Sequence, residues 1–324
     1  MSFVSILPTL LFIALGLVMF GLGLSLTVGD FKRLLQHPRA VVLALVLQVL
    51  VLPSACYALI VLLGVAPLYA VGLMLLAASP GGVSANLFSH LFGGNVAMNI
   101  SLTAINTVLS IVSLPLITNW AINTFAHTGQ VVPLQFGKVV EVIIIVLVPV
   151  VLGMAVHRRA PAFRARMEKP MKIFSAVVLA AFALIAIAKE WTALVESFAG
   201  IGPAVLLFNA ISLASGYYLS RAAGLDKSMA TAISFEIGIH NSTLAIFIAL
   251  SVLGNFQLAL PAAIYSVSMY LMATLFGTLV LRRKGANIDV PLTRELIELH
   301  AVDHQINTAP DGSRIGYVRL KQFN

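Results

Sequence analysis

The sequence predicts an all-α membrane protein with nine transmembrane helices. Of its 324 residues, 60% are hydrophobic and 10% are charged, and the mean hydropathy is +1.00. This composition is typical of a chain that crosses the bilayer many times. The net charge of +8 does not indicate a nucleic-acid partner, because the basic residues lie in short loops between apolar runs.

Nine apolar runs are each long enough to cross a bilayer. They cover about residues 4–27, 39–64, 68–92, 95–119, 136–157, 171–188, 200–221, 229–252 and 259–281. The first run follows neither a basic segment nor a small-residue cleavage site, so we expect a retained span and not a signal peptide. The single cysteine, Cys56, excludes an internal disulfide and a multi-cysteine metal site.

Basic residues fix the orientation, because Lys and Arg near span ends stay cytoplasmic. They follow or flank the first, fifth, seventh and ninth runs, as Lys32, Arg33, Arg39, Arg158, Arg159, Arg164, Arg166, Lys169, Lys172, Arg221, Lys227, Arg282, Arg283 and Lys284. The alternate connections carry only Lys138 and Lys189. Nine spans place all the basic loops on one side of a plasma (bacterial inner) membrane, with the N-terminus outside and the C-terminus in the cytoplasm.

Two of the runs are interrupted by polar or helix-breaking residues. The third contains Pro80-Gly81-Gly82, which removes a backbone donor and frees the backbone. The eighth contains Glu236, and a carboxylate at bilayer depth costs roughly 2.5–3.5 kcal/mol on insertion scales. Unwound backbone at this depth is tolerated where it lines a cavity, and transporters build cation sites from such breaks. A kinked packing helix is the simpler interpretation of either break alone.

The two interruptions lie five spans apart, so the helices that contain them have opposite orientations. Spans one to four and six to nine can then form an inverted repeat, with the fifth span as connector. This arrangement places the two breaks face to face near the bilayer centre.

A polar stripe in the fourth run supplies neutral oxygens. Asn99, Thr103 and Asn106 share one helical face. Around the Glu236 carboxylate, these side chains suit a hard monovalent cation, although such residues also join helices by hydrogen bonds. We find no P-loop, HExxH or nucleophile elbow, and Ser242 diverges from His240 at i and i+2, so we predict a protein that is not an enzyme and needs no cofactor beyond a coupling ion.

Several segments resemble the bile acid:sodium symporter family in register from about residue 6 to 283. They are Met19-Phe20-Gly21-Leu22-Gly23-Leu24-Ser25-Leu26, Asp30-Phe31, His37-Pro38-Arg39, Pro80-Gly81-Gly82 to Asn86, and Phe235-Glu236-Ile237-Gly238-Ile239-His240-Asn241. The resemblance implies a panel domain and a core domain with two discontinuous crossing helices. The chain looks like a nine-span version, with core spans at about 39–119 and 200–281 and panel spans at about 4–27, 136–157 and 171–188.

The resemblance also implies two sodium sites. One would use Asn86, Asn99, Thr103 and Glu236, with Ala85 where serine is frequent. The other would use Gln48, Glu236, His240 and the carbonyls of Ile237 and Ile239. His240 is a departure, because the family usually has glutamine there and sodium prefers oxygen ligands. Coupling to protons through His240 and Glu236 is therefore an alternative.

The implied substrate is an organic anion, such as a bile acid, a steroid sulfate or a small carboxylate, carried inward with sodium by alternating access. It would lie near Gly82, Val83, Asn86, Asn241, Ser242, Met269 and Tyr270. Met269-Tyr270 stands where some relatives have a histidine-asparagine pair, which favours a different or more apolar ligand. The runners-up are a proton-coupled symporter or antiporter of an organic solute and, from another class, a membrane sensor that signals through its tail.

The last segment, 285–324, is polar and charged and follows a transporter domain over 1–284. We expect a partly disordered cytoplasmic tail with a short helix over Pro291 to His300 and a turn at Ala309-Pro310-Asp311-Gly312.

Overall fold

The computed structural model describes residues 16–126 apart from Val18, residues 136–160 and 191–281, isolated residues between 162 and 170, and residues 302–308 and 314–320. The chain divides into two compact units, 1–282 and 283–324, and each is described by itself. Most of the first predicted span and all of the sixth, 171–188, lie outside the described residues.

Helices make up the described part of the first unit. In chain order they are α1 (Val28–Leu34), α2 (Pro38–Val46), α3 (Leu52–Leu63), α4 (Pro67–Ala78), α5 (Ser84–Leu91), α6 (Val96–Phe125), α7 (Phe136–Arg159), α8 (Trp191–Ala222), α9 (Lys227–Gly238), α10 (Ser242–Phe247) and α11 (Leu260–Leu279). Two π-helical turns, Leu47–Val51 and Ile248–Val252, continue α2 into α3 and extend α10. A 3-10 turn, Gln257–Ala259, precedes α11.

Polar side chains begin several of these helices. Asn95 accepts a hydrogen bond from the backbone N–H of Met98 at the start of α6, and Asp226 accepts one from Met229 at the start of α9. Such caps satisfy backbone donors that have no partner within the helix. Gly64 ends α3 at φ 61°, a conformation that glycine adopts without steric cost.

Four helical segments in the described ranges are long and apolar enough to cross a membrane: Pro38–Leu63, Val96–Phe125, Gly200–Ala222 and Gln257–Leu279. Pro67–Ala78 and Ser242–Val252 are shorter apolar helices, and they belong to the two interrupted runs. The prediction of a helical membrane protein is confirmed. The count of nine spans, the inverted repeat and the core and panel domains stay predictions.

Close helix contacts hold the two interrupted runs in place. The long helix α8 packs against α9 and α11, and α4 packs against α6. At Gly216 in α8, an added Cβ would lie 2.6 Å from the Cα of Ser234 in α9. Small residues allow this approach in membrane proteins, where van der Waals packing drives helix association.

The all-α prediction is wrong in the second unit, which contains a β-hairpin. Strands β1 (Val302–Thr308) and β2 (Arg314–Leu320) pair antiparallel, from Val302 opposite Leu320 to Thr308 opposite Arg314. The predicted turn at 309–312 falls between the strands, although it and the helix predicted over 291–300 lie outside the described residues. Two short runs with β-branched residues around Asp311-Gly312 were the missed hairpin signal.

Candidate functional site

The two interrupted helices cross and pair through their backbones. Gly81 and His240 form an isolated antiparallel β-bridge. The N–H of Gly82 donates to the carbonyl of Ile239 at 2.6 Å, and the N–H of Asn241 donates to the carbonyl of Pro80 at 2.8 Å. Backbone groups that the breaks release from their helices thus find partners in each other, as burial away from water requires.

Glu236 lies at this crossing and is fully buried. Thr103 Oγ1 donates to its Oε2 at 2.6 Å, and Asn106 Nδ2 donates to its Oε1 at 3.0 Å. Both donors are neutral, and across the described ranges no ion pair involves this carboxylate. Because an ionised carboxylate in a protein interior is stable only when it is paired or coordinates a cation, this arrangement favours a cation as the missing partner.

Three buried amide oxygens on α5 and α6 are further candidate ligands. The Oδ1 atoms of Asn86, Asn99 and Asn106 are buried and accept no hydrogen bond from the residues that the structure describes. The Asn99 amide is oriented by its Nδ2, which donates to the carbonyl of Ala232 at 2.7 Å. Buried oxygens without donors call for a ligand or an ordered water, and oxygen is the ligand that hard cations prefer.

Gly81 keeps the crossing close to this carboxylate. A Cβ at Gly81 would overlap Oε1 of Glu236, with the backbone oxygen of Glu236 at 2.7 Å. The break in the first helix and the acid in the second are therefore in direct contact. The lack of a side chain at position 81 makes that contact possible.

His240 occupies the other side of the crossing and is buried. Its Nδ1 lies 3.1 Å from the carbonyl oxygen of Ser79, which also accepts a hydrogen bond from Gln48 Nε2 at 2.9 Å. Because a carbonyl can only accept, Nδ1 of His240 carries the hydrogen. The ring of Phe208 stacks on the imidazole with centroids 5.5 Å apart, and the ring of Tyr265 lies at the same centroid distance.

The structure brings most of the residues predicted for the cation sites to the crossing. Glu236, Thr103 and Asn99 lie together, and Gln48 meets His240 through the carbonyl of Ser79. Ala85, Ile237 and Ile239 are buried in the crossing helices or at the break. Ile239 uses its carbonyl to accept the N–H of Gly82.

The residues predicted to contact substrate fall into two groups. Gly82 and Asn241 belong to the crossing, while Val83 and Ser242 adjoin it. In α11, Met269 is buried and Tyr270 is 42% exposed. Tyr270 contacts the first turn of α5, because its hydroxyl lies 3.3 Å from Ser84 Oγ and its ring stacks on Phe88.

The crossing includes polar residues beyond the cation ligands that the family resemblance implies. Asn106 is absent from the ligand set that the family resemblance implies, but the polar stripe that it shares with Asn99 and Thr103 indicates its place beside the Glu236 carboxylate, to which it donates. Asn209 and Tyr265 are not among the predicted site residues, and their side chains both donate to the carbonyl of Gly238 at 2.9 Å. An amide within the seventh apolar run was the available signal for Asn209.

Replacing Thr103 by Val should lower stability even without sodium. Valine has a similar shape but cannot donate to Glu236 Oε2, and leaving a buried acceptor unsatisfied costs about 1–3 kcal/mol. We expect a lower unfolding temperature for detergent-purified Thr103→Val in potassium buffer. Thr103→Ser, which keeps the hydroxyl, is the control, and equal unfolding temperatures for the two variants would contradict the proposed hydrogen bond.

Comparison with known proteins shows the family to which the chain is similar. The model of the Sodium Bile acid symporter family matches residues 12–197. The chain is similar to the probable sodium/metabolite cotransporter BASS1, chloroplastic, of Oryza sativa subsp. japonica, with 30% identity over 88% of the chain and 70% of the relative. It is also similar to the uncharacterized sodium-dependent transporter YocS of Bacillus subtilis (strain 168), with 28% identity over 82% of the chain and 81% of the relative.

A human relative is more distant. The ileal sodium/bile acid cotransporter of Homo sapiens is 26% identical over 74% of the chain and 68% of the relative. Two further plant relatives, BASS1 of Arabidopsis thaliana and BASS2 of Oryza sativa subsp. japonica, are longer, and the chain spans 64% of the length of each.

Proposed function

Because the chain belongs to the sodium bile acid symporter family, we propose that it is a secondary active transporter that carries an organic anion across a membrane together with sodium. The similar proteins are named as cotransporters of sodium with metabolites or bile acids, or as a sodium-dependent transporter. This naming supports a transporter with sodium as its coupling ion and does not support an enzyme.

The buried carboxylate of Glu236 is the observation that carries the proposal. It receives two hydrogen bonds from neutral side chains, and in the described residues it has no positive partner. Amide oxygens without donors lie on Asn86 in α5, the helix that follows the first break, and on Asn99 and Asn106 in α6, the helix whose Thr103 donates to this carboxylate. Sodium at this position would neutralise the carboxylate and satisfy the oxygens at the same time.

Sodium bound there would also join three elements of the structure. Asn86 lies in α5, Asn99 and Thr103 lie in α6, and Glu236 lies in α9. A cation with ligands from all three would stabilise one arrangement of the crossing relative to others, by as much as its affinity differs between them. Binding of sodium would in this way prepare the adjacent substrate site.

The substrate would lie beside the crossing, near Gly82, Val83, Asn241 and Ser242. The start of α5 and the exposed Tyr270 ring would form its far side. The exposed Tyr270 ring presents aromatic surface there, and this favours an anion with an apolar body over a small hydrophilic one. Movement of a core domain against a panel domain would then expose the site to each side of the membrane in turn.

A thermal-shift measurement tests the cation site without knowledge of the substrate. We expect sodium to raise the unfolding temperature of the detergent-purified protein relative to potassium at the same ionic strength, between pH 5.5 and 8.5. A ligand that binds only the folded state stabilises it by about 2.7 kcal/mol at a concentration 100 times its Kd. Equal unfolding temperatures in the two salts would contradict sodium coupling. Stability that follows pH but not sodium would favour the proton-coupled alternative.

A further inference from the structure

We propose that the transporter couples to a single sodium ion. The family resemblance implies a second sodium site beside His240, but the carbonyl oxygens there already accept hydrogen bonds, one of them from His240 itself. The inference rests on the proposed sodium-coupled function. It concerns the number of ions and the net charge that moves with each substrate.

The carbonyl oxygens on the His240 side of the crossing already accept hydrogen bonds. Ser79 O accepts from Gln48 Nε2 at 2.9 Å and from His240 Nδ1 at 3.1 Å. Gly238 O accepts two hydrogen bonds of 2.9 Å, from Asn209 Nδ2 and the Tyr265 hydroxyl. A carbonyl oxygen has two lone pairs, so both oxygens are saturated with donors. Neither can also bind a cation without losing a hydrogen bond.

Ile239 O, one of the two carbonyls implied for the second site, is also engaged. It accepts the N–H of Gly82 at 2.6 Å, and this bond is half of the backbone pairing between the two breaks. A cation that took this oxygen would weaken the crossing. The hydrogen bond therefore competes with the second sodium for the same atom.

Gln48 is turned so that its amide nitrogen faces the break. Its Nε2 lies 2.9 Å from Ser79 O and 3.3 Å from Ala77 O, and an inverted amide would place two oxygens against each other. Within the described ranges, Gln48 Oε1 and His240 Nε2 accept no hydrogen bond. One oxygen and one imidazole nitrogen make a poor set of ligands for sodium, which prefers several oxygens.

The Glu236 side of the crossing differs in its charge and in its larger number of free oxygens. It has a carboxylate, and the residues that the structure describes leave the Oδ1 atoms of Asn86, Asn99 and Asn106 without donors. The negative charge is thus on one side together with three free amide oxygens. The other side has carbonyls that already accept hydrogen bonds, an imidazole, and the free amide oxygens of Gln48 and Asn209, and among the described residues it has no carboxylate. One sodium ion with one monovalent anion gives transport that moves no net charge.

Counting the bound ions tests the inference directly. We expect radioactive sodium to bind the detergent-purified wild-type protein at about one ion per chain, with a Hill coefficient of about 1 in the thermal shift. His240→Gln, which offers an amide oxygen in place of the imidazole, should raise the count toward two and the Hill coefficient above 1. His90→Gln makes the same change at an exposed position of α5 and should bind as the wild type does.

The outcomes separate this inference from the proposed function. Two ions bound to the wild type would overturn the single-sodium inference and leave sodium coupling intact, whereas no bound sodium would overturn both. The count on the wild type stands even if His240→Gln does not fold. If His240→Gln folds and still binds one sodium ion per chain, the inference that His240 limits the number of bound sodium ions is overturned.

Charge movement gives a second readout, once a transported anion is found. In proteoliposomes with a fixed sodium gradient, imposing a membrane potential of 100 mV should leave the accumulation of a monovalent anion unchanged. One net positive charge per cycle would change it about 50-fold. Such a change in the wild type would overturn the inference.

Discussion

Replacing Glu236 by Gln is expected to abolish the stabilisation of the protein by sodium. Gln has the same shape and can remain between Thr103 and Asn106, so the fold should persist. It has no negative charge to offset the desolvation of the cation. We expect the affinity for sodium to fall at least about 100-fold, which corresponds to about 2.7 kcal/mol. The unfolding temperatures of the variant in sodium and in potassium should then coincide, and any sodium-driven uptake should stop.

Asp226→Asn provides a matched control on the same helix. Asp226 is exposed and caps the start of α9, and asparagine caps a helix about as well as aspartate. This variant loses a carboxylate but should respond to sodium as the wild type does. A sodium shift retained in Glu236→Gln, or lost in Asp226→Asn, would contradict the assignment of the site to Glu236.

Replacing Gly81 by Ala should be nearly as damaging, although it adds one methyl group. The new Cβ would overlap the carboxylate of Glu236, so either the acid or the backbone pairing must move. Overpacking of a well-packed interior typically costs about 1–3 kcal/mol. We expect a lower unfolding temperature in potassium and a sodium affinity reduced by at least about tenfold.

Gly200→Ala tests whether the effect belongs to the crossing. Gly200 lies in α8, and an added Cβ there would have no atom within 4 Å among the described residues. Alanine favours a helix interior over glycine by about 1 kcal/mol, so this variant should be as stable as the wild type or more so. If Gly81→Ala kept the sodium response and stability of Gly200→Ala, close contact between the breaks would not be required for binding.

The sequence predicts the most distinctive residues of the candidate site, because such residues are unfavourable in an ordinary transmembrane helix. Glu236 in an apolar run needs a compensating partner, and Pro80-Gly81-Gly82 cannot continue a regular helix. The spacing of Asn99 and Thr103 places them on one helical face, and the structure brings that face to the Glu236 carboxylate. The membership in the symporter family that these motifs indicated is confirmed.

Other features depend on contacts that a linear pattern does not contain. The carbonyls of Ser79 and Gly238 are backbone atoms, and their roles follow from side chains that lie far away in the sequence. Asn209 is one polar residue in an apolar run and could equally have joined two helices. The tail hairpin is not predicted because the polar and charged composition of 285–324 indicates a partly disordered segment, and its two β-strand runs are short.

The backbone bridge between the two breaks has a mechanical consequence. Two hydrogen bonds, Gly82 N to Ile239 O and Asn241 N to Pro80 O, join chain segments that point in opposite directions at one place. Sliding either segment along its axis would break both bonds at once. The four helices that flank the breaks, α4, α5, α9 and α10, should therefore move as one rigid body. The Glu236 carboxylate beside the backbone bridge should move with them. We expect the substrate site to open to each side of the membrane in turn as this rigid body rotates against the rest of the protein. The two backbone hydrogen bonds of the bridge should stay formed throughout.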